Sequence, residues 1–157
     1  MEYKIKVTKE FLDHREKHSK LYNQGSRTHE AFLKDLDCEI FEWDQINNGN
    51  WTEYTGNQEW KVDAIDDNNE RVEVKFMSSR STGVKKWWSF GKKRAINLIR
   101  QAKSVDYYMF MEWVEVPKRP LEEGDEVICR VLARLSQEEL AGKICVGKHD
   151  PFCVKIK

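Results

Sequence analysis

Hydrophobic and polar positions alternate over residues 60–66 and again over 70–76, on either side of the polar stretch Asp67-Asn68-Asn69. That pattern predicts two strands joined by a three-residue turn, because Asn and Asp tolerate left-handed backbone and close turns with side-chain hydrogen bonds. In this register Ala64 faces Val72, Asp66 faces Glu70 and Asp63 lies opposite Glu73. Side chains alternate across a strand, so Trp60, Val62, Ala64, Val72, Val74 and Phe76 form an apolar face. Lys61, Asp63, Arg71, Glu73 and Lys75 occupy the other. Upstream, Thr8 caps a helix running to about residue 22, and a second helix starts at Ser26 or Thr28 and carries Phe32, Leu33 and Leu36. Residues 38–43 alternate in part and read as a strand, followed by an Asn- and Gly-rich loop over 47–56. Downstream, 95–103 reads as a helix, and the nearly unbroken apolar run 105–116 as a sheet centre covered on both faces. Residues 126–135 give another strand, and Ser136-Gln137-Glu138-Glu139 is a capping box that opens a short helix. The tail, 144–156, adds edge strands with a break at Pro151. The order ααβββαββαβ predicts one α/β domain over residues 1–157, a mixed central sheet flanked by helices.

Charge sharpens this picture. The net charge is zero, yet from Asp35 to Glu73 twelve acids stand against only Lys61 and Arg71. From Val74 to Val105 nine bases follow without an acid: Lys75, Arg80, Lys85, Lys86, Lys92, Lys93, Arg94, Arg100 and Lys103. Two opposed blocks suit a protein that holds cations and polyanions side by side; they equally suit two segments that pack together and cancel. Cys38, Cys129, Cys145 and Cys153 have no C-x-x-C spacing and read as reduced structural thiols, in preference to a zinc site of Cys129, Cys145, His149 and Cys153. His14 and His18, four apart among charged neighbours, read as a solvated helix face. No run approaches the roughly 18 apolar residues of a membrane span, and Met1-Glu2-Tyr3-Lys4-Ile5-Lys6 has no secretory-signal pattern. The default expectation is a cytoplasmic protein.

The hairpin carries the chemistry. Two carboxylates opposed at roughly 5 Å destabilise a bare hairpin, and a divalent cation between them reverses the penalty. Lys75, two residues beyond Glu73, sits beside the same spot. The plain alternative is a half-exposed strand face whose acids are neutralised diagonally by Lys61, Arg71 and Lys75.

The motif Asp63-x9-Glu73-x-Lys75 resembles the signature of the PD-(D/E)XK nuclease superfamily, which includes restriction endonucleases and phage-type Holliday junction resolvases. The segment Gly25-Ser26-Arg27-Thr28-His29-Glu30-Ala31-Phe32-Leu33 resembles the family's acidic helix before the first core strand, with Glu30 in the acidic place. Residues 91–103 match its later helix, and the resemblance spans about 25–115. Val62 stands where the family name has Pro, and Asp66 is a competing carboxylate.

The resemblance implies a restriction-endonuclease-like core and a Mg²⁺-dependent DNA endonuclease, with Mn²⁺ able to substitute. Asp63, Glu73 and the Val74 carbonyl would ligate the ion, Glu30 would reach a second one, and Lys75 would orient the attacking water. Lys85, Lys86, Lys92, Lys93 and Arg94, together with Arg80, would engage phosphates, and Trp87 and Trp88 would stack on bases. The absence of an added recognition domain favours a phage-like, structure-selective enzyme acting on branched DNA as a homodimer. A compact restriction-type endonuclease, a non-catalytic nucleic-acid-binding module and an RNA substrate are the alternatives.

Overall fold

A computed structural model describes residues 1–55, 63–76, 87–90, 105–141, 144–145 and 152–155. It is a mixed α/β fold. Strand β1 (Glu2–Lys6) leads into α1 (Lys9–Ser19), α2 (His29–Asp37) and α3 (Ile40–Asn48). Next come β2 (Ala64–Ile65), β3 (Arg71–Phe76), β4 (Trp87–Phe90), β5 (Tyr107–Glu115) and β6 (Glu126–Ser136). The chain closes with α4 (Gln137–Ala141), β7 (Ile144–Cys145) and β8 (Phe152–Lys155). A five-stranded sheet has the order β1-β6-β5-β3-β2, and β4, β8 and β7 form a second, three-stranded sheet.

The predicted hairpin register holds: Ala64 pairs with Val72, Ile65 with Arg71, and the Asp66 N–H donates to the Glu70 carbonyl at 2.9 Å. Asn69 takes the left-handed conformation the turn requires, at φ 62°. Asp66 is a structural residue. Its buried carboxylate accepts from the N–H groups of Asn68 and Glu70, each at 2.9 Å, and from the Tyr107 hydroxyl at 2.6 Å. Strand β3 runs parallel to β5, and β5 is the central strand, buried from Tyr107 through Trp113 as its apolar run predicts. The core gathers Phe11, Ile40, Phe41, Ala64, Val72, Met111, Trp113 and Val127, with Val74 and Phe76 packed against it.

Helix starts follow the caps. Thr8 accepts from the Phe11 N–H and Thr28 from the Ala31 N–H. The Ser136–Glu139 capping box is reciprocal, at 3.1 and 3.2 Å. Asp37, fully buried on α2, accepts from Arg15 at 2.8 Å and from the Leu121 N–H at 3.0 Å, which ties α1, α2 and the 121 loop together.

Three expectations are corrected. Residues 38–43 are not a strand but the entry to α3, because Ile40 and Phe41 enter the core while Trp43 and Ile46 continue the stripe at helical spacing. Residues 2–6 are a strand, β1, that pairs with β6 through the alternating Tyr3 and Ile5. Residues 87–90, to which the hydrophobic pattern assigns no element, form a strand that pairs with β8, as bulky aromatic residues favour. The helix expected over 95–103 lies outside the described residues. Among the described residues no helix is long and apolar enough to cross a membrane.

Replacing Asp66 by Ala leaves a buried hydroxyl and two turn N–H groups without their acceptor. This costs about 3 kcal/mol and lowers Tm by roughly 6–12 °C. Tyr107→Phe, which removes one of the three bonds, costs about 1 kcal/mol. Thermal unfolding of the two variants checks both the size and the order.

Candidate functional site

Asp63 sits immediately before β2, where the hairpin register carries it to the level of Glu73. Its Oδ2 accepts from the Val74 N–H at 2.8 Å, fixing the carboxyl against β3. Glu73 is 6% exposed even though it lies on the face expected to be polar. The Lys75 ammonium lies 3.5 Å from Glu73 Oε1, while Glu73 Oε2 is buried without a hydrogen-bond donor among the described residues. Asp63, Glu73 and Lys75 are therefore brought together. Val74 enters by its N–H.

Glu30 is not brought to them. It stands on the first turn of α2 with its side chain 62% exposed and pairs with Lys34 at 3.3 Å. The helical acid that reaches the hairpin is Glu42, on α3, whose carboxyl comes within hydrogen-bonding reach of Asp63. Asp63 is the middle member of the group, since Glu73 interacts with it in the same way.

Electrostatics follow from this crowding. Burial and then the neighbouring Asp63, Glu39 and Glu73 charges push the Glu42 carboxyl well above its ordinary range. Burial and then Asp63 do the same to Glu73, with Lys75 opposing. Tyr108, the β5 partner of Glu73 in the parallel register, faces the same side; burial and then Glu73 raise its phenol to about 12. The Tyr108 hydroxyl is likewise buried without a hydrogen-bond partner among the described residues.

Glu42 and Asp63 open onto a cavity of about 110 Å³. One wall is His14 and His18 on α1 with Tyr22 just beyond its end, and the other is Glu39, the residue before α3, with Glu42, Trp43, Ile46 and Asn47 on it. Both sets repeat at three- and four-residue steps, one helical stripe each. His14 and His18 are thus turned inward, not onto a solvated face, with side chains 27% and 25% exposed. Glu39, Glu42 and Tyr108 were legible only after the elements were placed correctly. Reading 38–48 as a helix puts Glu39 and Glu42 on one stripe; reading it as a strand puts them on opposite faces.

The proposed phosphate-binding residues Arg80, Lys85, Lys86, Lys92, Lys93 and Arg94 lie outside the described residues. Trp87 and Trp88 are placed on β4, opposite Lys155 and Val154. Cys129 belongs to the core, where burial pushes its thiol up to about 12, and it stands opposite Trp113. Cys145 and Cys153 oppose each other across β7 and β8. No protein-family model matches this sequence, and a comparison with curated proteins gives no match either.

Because Glu42 and Glu73 hold protons above the usual carboxylate range, the folded chain binds protons that the unfolded chain releases. In chelator, its stability therefore falls as pH rises from about 4.3, the ordinary glutamate value, through the raised folded-state values. Glu42→Gln should flatten that slope and raise Tm at neutral pH by roughly 2–4 °C, about 1 kcal/mol. A Tm independent of pH between mildly acidic and neutral conditions, in both proteins, contradicts the arrangement.

Proposed function

We propose that this protein is a divalent-cation-dependent nuclease that hydrolyses phosphodiester bonds in DNA. The observation that carries the reading is the convergence of Asp63, Glu73 and Glu42 beside Lys75, with Glu73 Oε2 buried and lacking a hydrogen-bond donor among the described residues. Three carboxyls and one ammonium form a hard-oxygen donor set of the kind that suits Mg²⁺ or Mn²⁺. Bound there, such an ion supplies charge neutralisation on the phosphate and a more acidic water. Asp63 and Glu73 are the residues that would hold it, with the Val74 carbonyl completing the set in the geometry the resemblance implies.

The chain's own residues have distinct parts. The Val74 N–H orients Asp63, so that one of its oxygens is committed to the backbone and the other is left for a ligand. Lys75, held against Glu73, orients the attacking water and offsets charge on the scissile phosphate. Glu42, whose raised proton affinity keeps it protonated more readily than an ordinary glutamate, exchanges protons with solvent in the cavity. Glu42 thereby takes the place that the sequence motif gave to Glu30.

The parallel β3–β5 pair beside the β2–β3 hairpin is consistent with the restriction-endonuclease-like core that the motif implies. The uninterrupted basic segment after Val74 supports a polyanionic substrate, bound through phosphates in a salt-sensitive and largely sequence-independent way. Branched DNA and a homodimeric enzyme follow from the resemblance.

Cleavage is tested on a Mg²⁺-containing panel of duplex, single-stranded, flapped and four-way-junction DNA, with RNA alongside. Asp63→Ala, Glu73→Gln and Lys75→Ala should each lower the rate by about a thousandfold, roughly 4 kcal/mol of transition-state stabilisation, while DNA binding persists. Glu30→Gln should cut as wild type does, and Glu42→Gln should not. A wild-type protein that binds these nucleic acids but cuts none with Mg²⁺ or Mn²⁺ is a binding module, and the reading fails.

A further inference from the structure

We propose that His14, His18 and Glu39 form a second cation site, selective for a borderline transition-metal ion such as Zn²⁺, beside the acidic group. The inference does not depend on nuclease activity. It begins with spacing: His14 and His18 are four residues apart on α1, so both rings project from one face, with centroids 4.0 Å apart. Glu39, the residue just before α3, reaches across to them. One of its oxygens lies 3.6 Å from His14 Nε2, and His18 Nδ1 lies 3.1 and 3.2 Å from its two oxygens.

The three donor atoms all lie within 4.8 Å of one another. Ligands at roughly 2.1 Å from a tetrahedral zinc ion stand about 3.4 Å from each other, so the measured nitrogen–oxygen separations bracket what an ion needs. The side chains are 27%, 25% and 20% exposed, sheltered but reachable. The ion pairs Glu39 makes among the described residues are with these two rings, not with a lysine or arginine. All three residues line the cavity that also holds Glu42 and Asp63.

The donor chemistry separates this site from its neighbour. Two imidazoles and one carboxylate suit zinc, iron, nickel or copper, whereas the all-oxygen group around Asp63 suits magnesium. Three protein ligands leave at least one coordination position free for water or another ligand. That is the arrangement of a reactive zinc site rather than a closed structural one. Phe11 stacks on His14 at 6.0 Å, giving the ring an apolar backing.

The test titrates full-length metal-free protein with Zn²⁺, following heat and the histidine ring signals by ¹H–¹⁵N NMR. The expected result is one ion per chain in protein carrying Cys145→Ser and Cys153→Ser, with the His14 and His18 signals shifting together. Excess Mg²⁺ should leave it in place. His18→Ala should weaken binding at least tenfold, and the His14→Ala/His18→Ala double variant should abolish it. Asp63→Asn should bind zinc like the wild type. Titration of the wild-type protein without movement of those two ring signals overturns the proposal, whatever the variants do. So does binding that survives the double histidine change or vanishes with the two cysteines.

Discussion

The meeting of like charges around Asp63 is the constraint on which the rest of the structure depends. Nothing about an isolated hairpin favours placing Asp63 level with Glu73, and adding Glu42 from a helix makes the crowding worse. The surrounding fold imposes it. The Asp66 turn sets the register, the Val74 N–H anchors Asp63, and the core contacts of Ile40 and Phe41 fix α3 so that Glu42 points at the hairpin. Lys75 supplies a positive partner to one oxygen of Glu73, and the raised proton affinity of Glu42 and Glu73 lessens the repulsion among the acids. The direct consequence is the raised proton affinity of Glu42 and Glu73.

Two helices turn this local crowding into a chamber. α1 and the residue pair beyond its cap contribute His14, His18 and Tyr22, and α3 with its N-cap contributes the stripe that starts at Glu39. Tyr22 takes part electrically as well: burial, and then Glu39, Glu42 and Asp63, raise its phenol above the ordinary value. Imidazole and carboxylate side chains thus share one opening, and the two proposed cation sites would lie side by side within it.

Much of this was readable in the sequence, and the parts that were not have physical reasons. The turn at 67–69, the 64–72 pairing, the buried run of β5 and the caps at Thr8, Thr28 and Ser136 are local signals: short-range hydrogen bonds and side-chain periodicity decide them. Glu42 was hidden because Cys38-Glu39-Ile40-Phe41-Glu42-Trp43 satisfies both a half-alternating strand and a helix stripe. Only tertiary packing of Ile40, Phe41 and Ile46 separates the two, and that packing is not written in six residues. Glu30 looked correct by motif spacing alone, yet spacing along a chain does not say which helix the sheet receives. His14 and His18 were obscured by their charged neighbours, since the partner that turns them inward, Glu39, lies more than twenty positions away.

The hydrogen bond from the Val74 amide to Asp63 has an entropic corollary. Flexible carboxylates lose rotamer freedom whenever they gather around an ion, and that loss is subtracted from affinity. Here one oxygen is already tethered to the backbone and the facing residue is immobilised within a sheet, so the ordering is complete when the chain folds. A cation held as proposed would find Asp63 and Glu73 already ordered, so that little ordering entropy would be subtracted from its binding.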